Sequence, residues 1–164
     1  MESTAEKTRY ITILRHLFSI VMHNFISDIS HYDIVLNLAI QAKNSLWIGT
    51  ADIKDLYVIQ GQTEKPFLGI LSELIGHGVE VRLIHAKEPG PNFRKDFDKY
   101  PSLARMLERV LCPRVHFKII IIDQKICYIG SANLTGAGMG MKSAYRRNFE
   151  AGILTDNSDI VNAA

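Results

Sequence analysis

The stretch HFKIIIIDQKICYIGSAN, residues 116 to 133, constrains this chain more than any other. Two apolar runs, KIIII and ICYIG, flank a short polar break, which is the pattern of two strands folded back on each other. Yet His116, Lys118 and Asp123 interrupt the pattern, and Gly130, Ser131 and Asn133 close it. Burying an unpaired polar group costs about 1 to 3 kcal/mol, and an ion costs more. A strand built only for packing would not carry these residues, so they either satisfy one another or are arranged for a ligand.

Strand alternation puts His116 and Lys118 on one face and Phe117 on the other. A tight turn centred on Gln124 and Lys125 then sets His116 opposite Asn133 and Lys118 opposite Ser131, where side chains on one face stand about 4.5 to 5.5 Å apart. Imidazole, ammonium, hydroxyl and carboxamide converge on one patch in that register. A three-residue loop would shift it by one and undo the pairing. Gly130 suits a place where a ligand approaches the backbone. The donors are cationic or neutral and include no carboxylate cage for a metal, so the expected guest is a tetrahedral oxyanion, above all phosphate. A neutral imidazole beside a bound phosphodiester can attack phosphorus in line while Lys118 and Asn133 offset charge on the nonbridging oxygens. His116 is therefore the expected nucleophile, with Ser131 a further phosphate ligand or a simple turn hydroxyl, and neither metal nor cofactor is expected.

The rest of the chain supplies an α/β frame. Ile11, Leu14, Leu17, Phe18 and Val21 recur at helical spacing, and Ser30 with Asp33 predicts a second, capped helix ending near Lys43 and Asn44. SLWIG (45–49) reads as a buried strand, and Thr63 is placed to cap a helix through KPFLGILSELIG that Gly76 and Gly78 end. VEVRLIHA (79–86) is the next strand, FRKDFDKYPSLARMLERVL predicts one or two short helices, and NFEAGIL (148–154) predicts a last strand. Asp156 or Ser158 would cap a final helix. Helix and strand alternate, so the predicted fold is a mixed parallel and antiparallel sheet with helices on both faces. A chain of 164 residues, 47% of them hydrophobic, closes one domain. Residues 1–30 are expected to form an N-terminal helical extension and 31–164 the domain proper. Its last helix barely begins before Ala164, which leaves open a domain trimmed at that end.

Nineteen Lys and Arg against 17 Asp and Glu give a net charge of +2, too small by itself to announce a nucleic-acid binder. Cys112 and Cys127 lie among apolar neighbours without zinc-type spacing, which fits free thiols in a reducing compartment. YITILRHLFSIVM is broken by Arg15 and His16 and is shorter than a membrane span, so a cytoplasmic protein without membrane association is expected.

His116-x-Lys118, then Asp123, then Gly130-Ser131-x-Asn133 resembles the HKD signature of the phospholipase D superfamily, matched without a gap. AIQAKNSLWIGTADI is similar to the family's first helix and strand, and GVEVRLI to its second strand, so the likeness spans about residues 33 to 160. The resemblance implies a phospholipase D-like fold and a covalent phosphohistidine at His116, with a second motif histidine protonating the leaving oxygen and then activating water. His85 and Lys87 repeat only the His-x-Lys pair: Asn92 replaces the needed Asp and no Gly-Ser-x-Asn follows, so they read as structural. Since single-motif members pair as homodimers, the second histidine is expected to be the other subunit's His116.

The resemblance also assigns Glu150 to hold the far ring nitrogen of His116, and leaves Asp123 and Gly130 structural roles in the motif. Compact single-motif members are commonly nucleases, and Lys142, Arg146 and Arg147 follow the motif, so a metal-independent endonuclease acting on DNA or RNA is the leading expectation. The alternatives are a lipid phosphodiesterase or transphosphatidylase, and a non-catalytic dimerising module that binds nucleic acid.

Overall fold

The computed structural model describes residues 21–54, 56–60, 63–88 and 90–164. The amphipathic helix expected over Ile11 to Val21 lies outside them except at Val21. A seven-stranded sheet carries the molecule: β1 (His23–Ser27), β2 (Ser45–Thr50), β5 (Glu80–His85), β6 (Glu108–Leu111), β7 (Lys118–Ile122), β8 (Ile126–Gly130) and β9 (Ala151–Thr155). They are ordered β1-β9-β8-β7-β2-β5-β6, and β3 (Tyr57–Gln60) and β4 (Thr63–Pro66) form a separate two-stranded sheet. β2, β5 and β6 run parallel, and every other pairing in the large sheet is antiparallel. This is the mixed α/β sheet that the alternation predicts.

The helices are α1 (His31–Leu36, wound as a π-helix), α2 (Asn37–Ala39), α3 (Phe67–Gly76), α4 (Pro91–Asp98), α5 (Pro101–Met106) and α6 (Ser158–Ala163). Alternate strand residues Leu46, Ile48, Val81, Leu83, Ile120, Ile122, Tyr128 and Leu154 bury one face of the sheet with the apolar sides of α1 to α3. The other face is thinly covered: Val161 of α6 packs with Ile121 and Cys127. Beyond it, the directly opposed Phe25, Ile153 and Ile129 are 73%, 50% and 41% exposed.

Several local expectations are corrected. Residues 23–27 of the supposed helical extension are an edge strand paired with β9. Ser30 has helical dihedrals and makes no capping bond. Thr63 starts β4, and α3 begins only after Pro66, whose ring fixes an extended-to-helix junction. ERVL, expected as helix, is β6, drawn into register by the open edge of β5. Asn157, neither Asp156 nor Ser158, caps α6, its Oδ1 accepting the N–H groups of Asp159 and Ile160.

The most consequential correction concerns the hairpin. Asp123 and Gln124 both adopt positive φ (53° and 52°), and the Lys125 N–H donates to the Ile122 carbonyl. The turn therefore sits one residue earlier than expected, leaves three residues in the loop, and pairs Lys118 with Gly130. Asp123 stabilises it: its carboxylate accepts the backbone N–H groups of Lys43, Asn44 and Ser45 at 2.6 to 3.1 Å. Its own N–H donates to the Ser45 carbonyl. One side chain thus fastens the β7–β8 turn to the start of β2.

Partial burial pushes the Asp123 carboxyl upward, but those three N–H groups and nearby Lys125 outweigh it and hold the group below the usual range. A carboxyl depressed in the native state contributes stability that is complete above its unfolded pKa of about 3.9 and is lost as pH falls through the lower native value. Asp123→Ala should cost about 1.5 to 3 kcal/mol in urea unfolding at pH 7. The difference from the parent chain should shrink as the pH is taken below about 4. A gap that stays constant down to acid pH would contradict the assignment.

Candidate active site

His116, Lys118 and Asn133 gather where β2 and β5 end and β7 begins, at the carboxyl edge of the parallel strands, where open α/β sheets place their ligands. Phe117 is on the thinly covered face, with its ring lying across Gly49; a Cβ on Gly49 would collide with it. That contact leaves its neighbours little choice. Lys118 turns to the buried face and is 8% exposed, while His116 is exposed at the rim.

Lys118 Nζ donates to the His116 carbonyl at 2.8 Å, tying the two motif residues together through the backbone and leaving two ammonium protons without a partner among the described residues. The His116 imidazole has no hydrogen bond among the described residues. Asn133 reaches the same edge from the loop after β8: its Oδ1 accepts the Asp52 N–H at 3.2 Å and faces the Thr50 hydroxyl at 3.4 Å. Thr50 Oγ1 also accepts the Leu134 N–H and donates to the Asp52 carbonyl. Since the carboxamide oxygen is engaged, the Nδ2 donor is the end left for a guest.

The expected pairings across the hairpin do not form. Lys118 opposes Gly130 in place of Ser131, and regular pairing stops there, so His116 has no cross-strand partner. Ser131 turns instead to β9: its hydroxyl donates to Glu150 and accepts the Ala151 N–H. Glu150 also accepts from Asn148 Nδ2 at 3.0 Å. The carboxylate expected on the His116 ring is thus held by Ser131 and Asn148 within one subunit. Asp123 lies at the opposite end of the hairpin, in the turn already described.

Sequence reasoning missed Thr50, Asp52, Tyr128 and Gly152. The register lines up Lys118, Gly130, Gly152 and Ile26 across four strands on the buried face. Two adjacent glycines open a slot that the Tyr128 ring fills, since a Cβ on either would overlap the phenol. On Gly130 it would also stand 2.7 Å from the Ala151 carbonyl oxygen. Burial pushes the Tyr128 hydroxyl up to about 12, with the Ala132 N–H opposing the rise and the Glu150 carboxylate adding to it. The phenol therefore stays neutral beneath the site. His31, fully buried, meets the Tyr128 ring edge-on at 5.5 Å and bonds the Asp28 carbonyl through Nδ1. Glycine spacing alone gives no signal for this slot, because it forms only once β8 and β9 are in register.

His85 is fully buried at the end of β5. Its Nδ1 bonds the Lys87 carbonyl at 2.7 Å and its Nε2 accepts from Arg109 Nε at 2.8 Å. Burial lowers its pKa, the nearby Arg109 charge lowers it further, and the Lys87 and Glu88 contributions run the other way. Both ring nitrogens are occupied, so it is a tether between β5 and β6. No helix among the described residues is long and apolar enough to cross a membrane.

Residues 35–164 match the family model described as "Cardiolipin synthase, PLD-like domain". No curated protein matches the chain. Among solved structures, NucT from Helicobacter pylori superposes with a TM-score of 0.63 at 18% identity, covering 88% of this chain and 91% of that one. Nuc from Salmonella typhimurium, a phospholipase D family member, gives the same score and identity over 88% and 89%. Phosphatidylserine synthase from Haemophilus influenzae Rd KW20 scores 0.59 at 13% identity, with 87% of this chain covering 36% of that chain. These likenesses agree with the observed sheet, and the family model spans the whole site. The chain belongs to the phospholipase D superfamily through this PLD-like domain and is a phosphodiesterase of the hydrolase class.

Proposed function

We propose that this phosphodiesterase is a metal-independent endonuclease that cleaves DNA or RNA through a covalent phosphohistidine at His116, in a site completed by a second copy of the chain. The observation that carries the reading is the exposed, unbonded imidazole of His116 beside spare donors on Lys118 and Asn133. A nucleophile needs a free lone pair and an open approach, and a phosphoryl centre needs donors near its nonbridging oxygens.

In the proposed reaction the neutral His116 forms a P–N bond as the bond from phosphorus to the leaving oxygen breaks. That oxygen takes a proton from His116 of the partner subunit. A water molecule then gives its proton back to the partner's His116, its oxygen attacks phosphorus, and the P–N bond breaks to restore free His116. Lys118 and Asn133 bind the nonbridging oxygens throughout. Ser131 binds phosphate at the rim, and Glu150, released from Ser131, orients the imidazolium. Because one chain holds a single HKD motif, two copies of His116, Lys118 and Asn133 make the whole site.

The lipid reading has less support. The apolar row through Phe25, Ile153 and Ile129 lies on the sheet face opposite Lys118 and Gly130, so it does not line the phosphate cradle. Presenting labelled single- and double-stranded DNA, RNA and phosphatidylcholine, each with and without EDTA, tests the assignment. Nucleic acid should be cut at equal rates in both conditions, and cleavage confined to phosphatidylcholine would replace nuclease by lipid hydrolase.

His116→Ala should lower turnover by about 10³-fold or more. Full activity in that variant removes the nucleophile. Mixing His116→Ala with Lys118→Ala subunits gives heterodimers that lack one histidine and one lysine, so they should stay far below the parent rate. Recovery of parental turnover would sink the shared site.

A further inference from the structure

The loop between Asn133 and Glu150 carries a surface that the HKD chemistry does not use. Tyr145 and Phe149 are 101% and 94% exposed, the extreme values among the exposed large hydrophobic residues of the described part of the chain. A large aromatic ring fully in water contributes nothing to folding, so its placement points to something outside the chain. Arg146 and Arg147 stand between the two rings and Lys142 precedes them, while residues 134–149 contain no Asp or Glu. None of the three cations forms an ion pair among the described residues.

The loop is also held in place. Met139 is fully buried, and the Gly138 N–H bonds the Thr135 hydroxyl. The Arg146 and Arg147 N–H groups both donate to the Ser143 carbonyl, and the Asn148 N–H donates to the Ala137 carbonyl. Asn148 and Ser131 then fix Glu150, one residue beyond Phe149. The exposed rings therefore project from an anchored turn whose end is joined to the candidate active site.

We propose that Tyr145 and Phe149 form a stacking platform for unpaired nucleobases, with Arg146, Arg147 and Lys142 following the phosphates between them. Aromatic rings interleaved with unpaired cations match a single strand, whose bases expose their π-faces and whose backbone is anionic. A duplex hides those faces in its own stack. The platform selects single-stranded over double-stranded substrate and delivers the backbone to the neighbouring HKD residues; in this it rests on the nuclease reading above. Stacking is indifferent to the sugar, so DNA and RNA strands share the recognised chemistry.

The test is fluorescence anisotropy with labelled oligothymidylate and oligouridylate of about 12 nucleotides, and a duplex of equal length, in a His116→Ala background that prevents turnover. Tyr145→Ala and Phe149→Ala should each weaken single-strand binding about 5- to 100-fold with little change for the duplex, and Phe149→Trp should retain it. Arg146→Gln and Arg147→Gln should each reduce the slope of log affinity against log salt by about one. Unchanged Tm in the alanine variants shows that the rings carry no packing load. Hydrolysis of bis(p-nitrophenyl) phosphate by the parent chain, measured in parallel, separates the two readings. Turnover there without any loss of strand binding in the alanine variants overturns the platform alone. Strand binding that depends on the rings, without turnover, removes the nuclease reading and leaves the platform. If the variants instead halve the mass seen by light scattering and leave strand affinity unchanged, the rings are a subunit contact and the platform is refuted.

Discussion

The bond set around Asp123 fixes the geometry on which the site depends. Its carboxylate gathers three consecutive backbone N–H groups at the start of β2, and its positive φ begins the turn between β7 and β8. Register in a hairpin is decided at the turn, and a slip of one residue sends every side chain to the other face. By fastening that turn to β2, Asp123 determines which residues stand opposite each other at the far end of the hairpin. Its role in the motif is thus mechanical.

The register it sets puts Lys118 opposite Gly130, and the pairing of β8 with β9 puts Gly130 opposite Gly152. Three strands then present one ammonium and two missing side chains in a row, and the space over the glycines goes to the Tyr128 ring. On the opposite face, Phe117 over Gly49 plays the matching part. Small residues on three strands let two aromatic rings pack where the sheet ends, and the polar residues between those rings are left at the rim. Lys118, packed on β7, holds its donor more firmly than a loop residue would, as a site stabilising a transient phosphoryl charge requires, while His116 and Asn133 stand just beyond the strand ends.

Legibility in the sequence varied with how local the cause was. The buried strands SLWIG and VEVRLI and the α3 helix could be read because their apolar patterns lie within one segment. β1 and β6 could not, since each is a short strand recruited by an open edge elsewhere in the chain, and β4 could not because Thr63 looks like a helix cap and its strand exists only as the partner of β3. The His85–Lys87 pair reads as structural from its incomplete motif, but what holds the ring, Arg109 of the neighbouring β6, is seen only in the fold. Ser131 was legible as a motif residue, but its partner Glu150 comes from just before the next strand, and only the pairing of β8 with β9 brings them together.

The amino-acid sequence by itself determined the class of fold, the single HKD motif and the residue types available to a phosphodiester, because these depend on composition and spacing along one segment. Tertiary structure alone decided the register of the hairpin, the glycine slot under Tyr128, the use of Thr50 and Asp52 to orient Asn133, and the taking up of Glu150 by Ser131. Each of those follows from which strand lies beside which, and strand order is set by long-range pairing and core packing that no local pattern encodes.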